Sequence, residues 1–167
     1  MPKKENTEKD LQVGQASRLS DKHWKRHLPH YEAAGSYYFI TFTTDKRKQF
    51  TVSEKDCIFK ALLYLDVRKY ELYAAVVMND HAHIVIKPAE PLSKIMHSVK
   101  SYTAHEINKT AKRSGKVWQD EYYDRVIRSE REFQEKLLYT ANNPVKSKLA
   151  ETHADYEWLY VKGWIEG

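Results

Sequence analysis

The chain has 167 residues, 41% apolar and 31% charged, with a formal net charge of +5. This suits one globular domain with a proper core and a phosphate-rich partner, and excludes a fibrous or wholly disordered chain. No apolar run nears the roughly 20 residues of a membrane span, MPKKENTEKD does not read as a signal peptide, and a lone Cys57 closes no internal disulfide, so a cytoplasmic setting is expected.

Residues 1–20 are polar without apolar periodicity and predict a mobile tail, leaving 21–167 as a single domain. Around Trp24, HWKRHLPHYEAAG reads as an ordered, basic and aromatic lead-in. SYYFITFTT, Ser36 to Thr44, is β-branched and aromatic and predicts a central strand. Ser53 with Asp56 predicts a helix start, and the helix should run to about Lys69. Ile58, Leu62 and Leu65 would line one face, with Phe59 and Leu63 beside them.

ELYAAVVM, a polar turn at Asn79-Asp80, and HAHIVIK predict a hairpin that Pro88 and Pro91 terminate. Leu92 opens a second helix with Ile95, Met96, Val99 and Tyr102 on one stripe, and Gly115 lies in the turn beyond. Glu121 to Ile127 is a short strand. Ser129 with Glu132 caps a further helix through Phe133, Leu137 and Leu138, which Pro144 should stop. Strand, helix, strand, strand, helix, strand is the split βαβ order. The expected class is α+β, ferredoxin-like: a four-stranded antiparallel sheet with helices on one face. Such a fold hosts many functions, so side chains must carry the functional argument.

In VVMNDHAHIVIKP, alternation along the strand sends His81 and His83 to one face and Ala82 and Ile84 to the other. Two neutral imidazoles about 7 Å apart can converge on one ion, although a His-x-His pair also occurs as hydrogen-bonded core. The last helix ends LLYTANNPVKSKLA, and Tyr139 and Asn143 are four apart, one above the other on a single face. Packing alone could explain Tyr139, and a helix end before proline could explain Asn143. An amide oxygen there could equally join the imidazoles around a divalent ion.

Taken with RHLPHYEAAGSYYFITF and VWQDEYYDRVIRSEREFQEKLLYTANNPVKSKLA, these motifs resemble the single-tyrosine HUH transposases of the small insertion-sequence type. The likeness is greatest to the REP-associated tyrosine transposases, and it spans roughly residues 24 to 158. The resemblance implies that His81 and His83 bind the metal, that Tyr139 is the nucleophile, and that Asn143 is the third ligand. It further implies a 5′-phosphotyrosine intermediate with a free 3′-hydroxyl, formed without ATP on single-stranded or hairpin DNA. Two positions depart from the family pattern. Asn79 and Asp80 stand where proline and asparagine usually precede the first histidine, and Thr140 replaces isoleucine after the tyrosine. Asp80 could add a charge near the metal.

That chemistry accounts for the residue types. A divalent cation offsets the phosphodiester charge, and two imidazoles with an amide suit manganese or magnesium, though zinc could bind. A phenol of pKa about 10 needs help to lose its proton. Lys94, Lys100, Lys109, Lys112, Arg113 and Lys116 face one acid, Glu106, in their segment, and are expected to contact DNA backbone. Trp24, Lys25 and Arg26 could reach hairpin DNA. His30, Tyr31, Tyr37, Tyr38, Trp118 and Tyr122 are candidates for base stacking. The alternatives are a non-catalytic single-strand-binding module, a water-using hydrolase and a relaxase-like nicking protein. Monomer and homodimer both remain open, as does whether Tyr139 serves its own subunit.

Overall fold

The computed structural model describes residues 35–164. The chain divides into two units: residues 30–161, and a second of residues 1–29 with 162–167, of which only 162–164 are described. The expected tail, the lead-in with Trp24, Lys25 and Arg26, and His30 and Tyr31 lie outside the described residues.

Within residues 30–161 the elements run β1 (Tyr37–Thr43), α1 (Val52–Tyr64), β2 (Tyr70–Val77), β3 (His81–Pro88), α2 (Leu92–Ala111), β4 (Tyr123–Ile127), α3 (Glu130–Lys146) and β5 (Leu159–Val161). All strand pairs are antiparallel, in the order β4-β1-β3-β2-β5. The order of the first four strands is that of the ferredoxin-like class. Two features extend the expected layout. A fifth strand, three residues long, pairs with β2, and Tyr156 anchors the approach to it by donating to the Val77 carbonyl at 2.6 Å.

The second feature is a helix on each side of the sheet. Helices α1 and α2 cover one face, burying Ile58, Leu62, Ile95, Met96 and Val99 against Ile40, Phe42, Ala82, Ile84 and Ile86. Helix α3 covers the opposite face, where Phe133 meets the rings of Tyr37 at 5.1 Å and Tyr73 at 5.3 Å. The reason lies in the strands. β1 is apolar at both parities, Tyr37 and Phe39 on one side and Ile40 and Phe42 on the other, so both faces require cover. Placing every helix on one face would have left the Tyr37 and Phe39 side in water.

Local differences from the sequence reading have local causes. Helix α1 starts at Thr51, not Ser53, because Thr51 and Glu54 make the reciprocal cap. Asp56 instead accepts from the Trp158 indole at 2.8 Å. The helix stops at Tyr64, short of Lys69, where Asp66 captures the amides of Val67 and Leu72 and turns the chain into β2. On α2 the buried stripe runs Ile95, Val99, Thr103, Ile107, leaving Tyr102 exposed. Pro144 sits inside the last turn of α3, where its missing N–H costs one bond and the helix continues to Lys146. Among the described residues no helix is long and apolar enough to cross a membrane.

Candidate active site

Strand β3 brings two imidazoles to the face that α3 covers. Their alternating neighbours Ala82 and Ile84 enter the core on the α1/α2 side. The His81 and His83 rings lie 4.7 Å apart between centroids, inclined at 74°, so they converge on a common region.

His83 is only 4% exposed. Its Nδ1 lies 2.7 Å from the hydroxyl of Thr41, its register partner on β1. Its Nε2 is buried and has no hydrogen-bond partner among the described residues. Burial, with smaller contributions from His81 and Lys136, pushes the His83 pKa down to about 3, so the ring is neutral near pH 7. A neutral ring donating Nδ1–H to Thr41 leaves its Nε2 lone pair available to an electrophile. An orphaned buried nitrogen is costly to a fold, and a bound cation would remove that cost.

His81 is held differently. Its Nδ1 lies 2.6 Å from Asp80 Oδ1, and the other carboxylate oxygen accepts from Arg47 Nε at 3.0 Å. The Asp80 carbonyl also accepts from the Thr44 amide at 2.9 Å, which fixes the turn ahead of the strand. A carboxylate can only accept here, so His81 donates through Nδ1. Each ring is held through its Nδ1, His83 by a hydroxyl and His81 by a carboxylate.

Helix α3 supplies the remaining groups. The Tyr139 ring packs edge-on to His83 at 5.4 Å and to Phe39 at 5.6 Å, yet stays 44% exposed. Phe39 in turn stacks on His83 at 5.3 Å. Asn143, one turn beyond, faces the sheet side of the helix and is buried, and its carboxamide takes no partner among the described residues. The Lys136 ammonium, one turn before Tyr139, lies 4.6 Å from the Phe39 centroid and 5.6 Å from that of Tyr139.

The His81 and His83 imidazoles and the Asn143 amide are donor types that fit a divalent ion such as manganese or magnesium. No cluster of three or more His, Cys, Asp or Glu occurs among the described residues.

The basic residues of α2 lie elsewhere. That helix is on the opposite face of the sheet from the histidines. Lys100 donates to the carbonyls of Gln119 and Asp120, Arg113 pairs with Glu54 at 2.7 Å, and Lys116 pairs with Asp120 at 2.9 Å. Lys109 and Lys112 are exposed near its end, and Lys94 opens toward Lys69 and Glu90. Of the stacking candidates, Tyr37 and Trp118 are core, and Tyr38 and Tyr122 are partly buried against the α1/α2 cluster. Sequence reasoning missed Thr41, Phe39, Arg47, Lys136 and Tyr123. Lys136 could have been found from its three-residue spacing to Tyr139. The others needed the strand register.

The family described as "Transposase IS200 like" matches residues 33–137, a stretch that holds both histidines and stops just before Tyr139. No curated protein matches. The solved structure of a REP-associated tyrosine transposase bound to a REP hairpin superposes with a TM-score of 0.64 at 18% identity, covering 83% of this chain and 90% of that one. A bacterial tRNA(His) guanylyltransferase (Thg1)-like protein in complex with GTP reaches 0.50 at 12% identity, over 93% and 87% of the two chains. At these identities the likeness is one of fold.

Proposed function

Since the chain belongs to the IS200-like transposase family and so acts on DNA as a transposase, we propose that it breaks and rejoins single strands at a hairpin through a 5′-phosphotyrosine on Tyr139. The carrying observation is the buried, unpartnered Nε2 of His83 beside His81, with the Tyr139 ring 5.4 Å from His83.

His81, His83 and Asn143 would hold the divalent ion, manganese or magnesium, which when bound offsets phosphate charge and stabilises the departing oxygen. Thr41 and Asp80 hold the two rings through Nδ1, an arrangement that would leave both Nε2 atoms to face the ion. Tyr139 is exposed enough to meet DNA while Phe39 and His83 restrict its ring, so little ordering remains at the moment of attack. Its phenol oxygen bonds to phosphorus as the bond from phosphorus to the 3′-oxygen breaks. The phenol proton is lost and the 3′-oxygen gains one, so the step balances without ATP. Rejoining is the reverse, with a 3′-hydroxyl displacing the tyrosine. The proximity of Tyr139 and His83 in one chain supports action within a single subunit, as a monomer or within a homodimer.

The test mixes the protein with a labelled single-stranded hairpin and manganese. A denaturant-resistant protein–DNA adduct, absent with Tyr139→Phe, is the expected result. Multiple-turnover cleavage with no adduct would refute it in favour of a water nucleophile.

A further inference from the structure

Resting on that reading, we infer that the histidine face carries a seat for single-stranded DNA between β4 and α3. Tyr123 stacks the base flanking the scissile phosphate, and Lys136 contacts the strand's backbone.

The argument begins with register. Tyr123 pairs with Thr41, and Thr41 pairs with His83, so the three side chains lie in one row across β4, β1 and β3 on the same face. With neighbouring strands about 4.8 Å apart, the Tyr123 backbone lies about 10 Å from that of His83, a reach suited to a flanking nucleotide. The preceding Tyr122 has the opposite parity. It packs against the α1/α2 cluster with the Lys100 ammonium 6.0 Å from its ring. One residue of register therefore separates the core tyrosine from the one that meets solvent.

A single exposed tyrosine needs no function. Tyr123, 56% exposed, has more around it. Two residues on, Arg125 shares its face, and Glu132 of α3 holds the Arg125 guanidinium at 2.5 Å. The ring thus stands beside the ion pair that joins β4 to α3, with much of its surface open, a platform for a base.

Charge supports the same occupant. The Glu132 carboxylate is taken by Arg125 and by the Arg128 amide, and Lys136 has no ion-pair partner among the described residues. Its ammonium rests on the Phe39 and Tyr139 rings, next to the nucleophile. On the α2 face Arg113 and Lys116 are paired with carboxylates and Lys100 donates to carbonyls, while Lys94, Lys109 and Lys112 lie on a helix away from the histidines. A cation without a salt-bridge partner among the described residues, an open aromatic ring and the histidine pair lie along one strip, which matches a chain of alternating bases and phosphates.

The test measures binding of a short oligodeoxythymidine, and of an abasic strand of equal length, to the full chain over a range of salt. Tyr123→Ala should weaken oligodeoxythymidine roughly 5- to 150-fold, the worth of stacking one base, and leave the abasic strand unchanged. Tyr123→Phe should restore parental affinity, which separates stacking from folding. Lys136→Met should weaken both strands and lower the salt slope by about 0.7, while Lys136→Arg retains it. Equal effects of Tyr123→Ala on both strands, or none, would overturn the platform, and an unchanged salt slope in Lys136→Met would overturn the backbone contact. Adduct formation by the parent on a hairpin is scored separately. Its absence would sink the transesterase reading, whereas the oligonucleotide series judges the seat alone.

Discussion

Replacing Asp80 with asparagine keeps the side chain's size and one acceptor while deleting its charge. The carboxylate bonds His81 Nδ1 at 2.6 Å and Arg47 Nε at 3.0 Å, and its side chain is 21% exposed. A hydrogen bond to a charged group contributes about 1.5–3 kcal/mol against about 0.5–1.5 for a neutral one. The substitution therefore forfeits on the order of 1–1.5 kcal/mol of hold on the ring, about a factor of ten in equilibrium terms. Loss of an outer carboxylate partner to a metal-binding histidine typically lowers metal affinity by about 10- to 100-fold, so the two routes meet near tenfold. Arg47 is 62% exposed, and Arg47→Ala should cost less, under about 1 kcal/mol. The assay is manganese calorimetry on parent, Asp80→Asn and Arg47→Ala, each with a matching thermal melt. Parental affinity in Asp80→Asn would refute the orienting role. A loss beyond about a thousandfold, well outside the outer-partner range, would mean that Asp80 ligates the ion itself.

Other outcomes follow from the same geometry. Tyr139→Phe should keep manganese and DNA affinity and lose the covalent adduct, whereas Asn143→Ala should weaken manganese binding and leave residual adduct, both read by calorimetry and denaturing gels. Thr41→Val strips the hydroxyl partner of His83 Nδ1 and should destabilise the fold by about 1–3 kcal/mol in urea titrations. Acid should unfold the metal-free protein through His83. Its folded pKa of about 3 lies below its unfolded 6.5, so the unfolded state binds more protons as pH falls between those values. Stability should then drop by about 1.4 kcal/mol per pH unit across that window, and His83→Gln should flatten the drop. A variant with the parental acid profile would remove His83 as its cause.

The pairing of His81 with His83, the hairpin around them and the capped helix carrying Tyr139 were all legible in the sequence, because period-2 alternation, a polar turn and a Ser129–Glu132 cap are local signals. The i, i+4 relation of Tyr139 and Asn143 is equally local. The α+β class followed from element order alone. Sequence alone did not reveal which face α3 would take. That choice depended on β1 being apolar at both parities and on what α1 and α2 left uncovered. It moved the basic helix α2 to the side away from the histidines, although its charge pattern had suggested a place beside them. Tyr122 and Tyr123 differ in role for a similar reason: adjacent residues of one type are separated only by the register of β4 on β1. Thr41 reaches His83 and Arg47 reaches Asp80 across 42 and 33 residues of chain, the differences of their positions. Such contacts form only when strands pair and turns close. Local periodicity determines which side chains share a face, and packing of nonadjacent segments decides which faces meet.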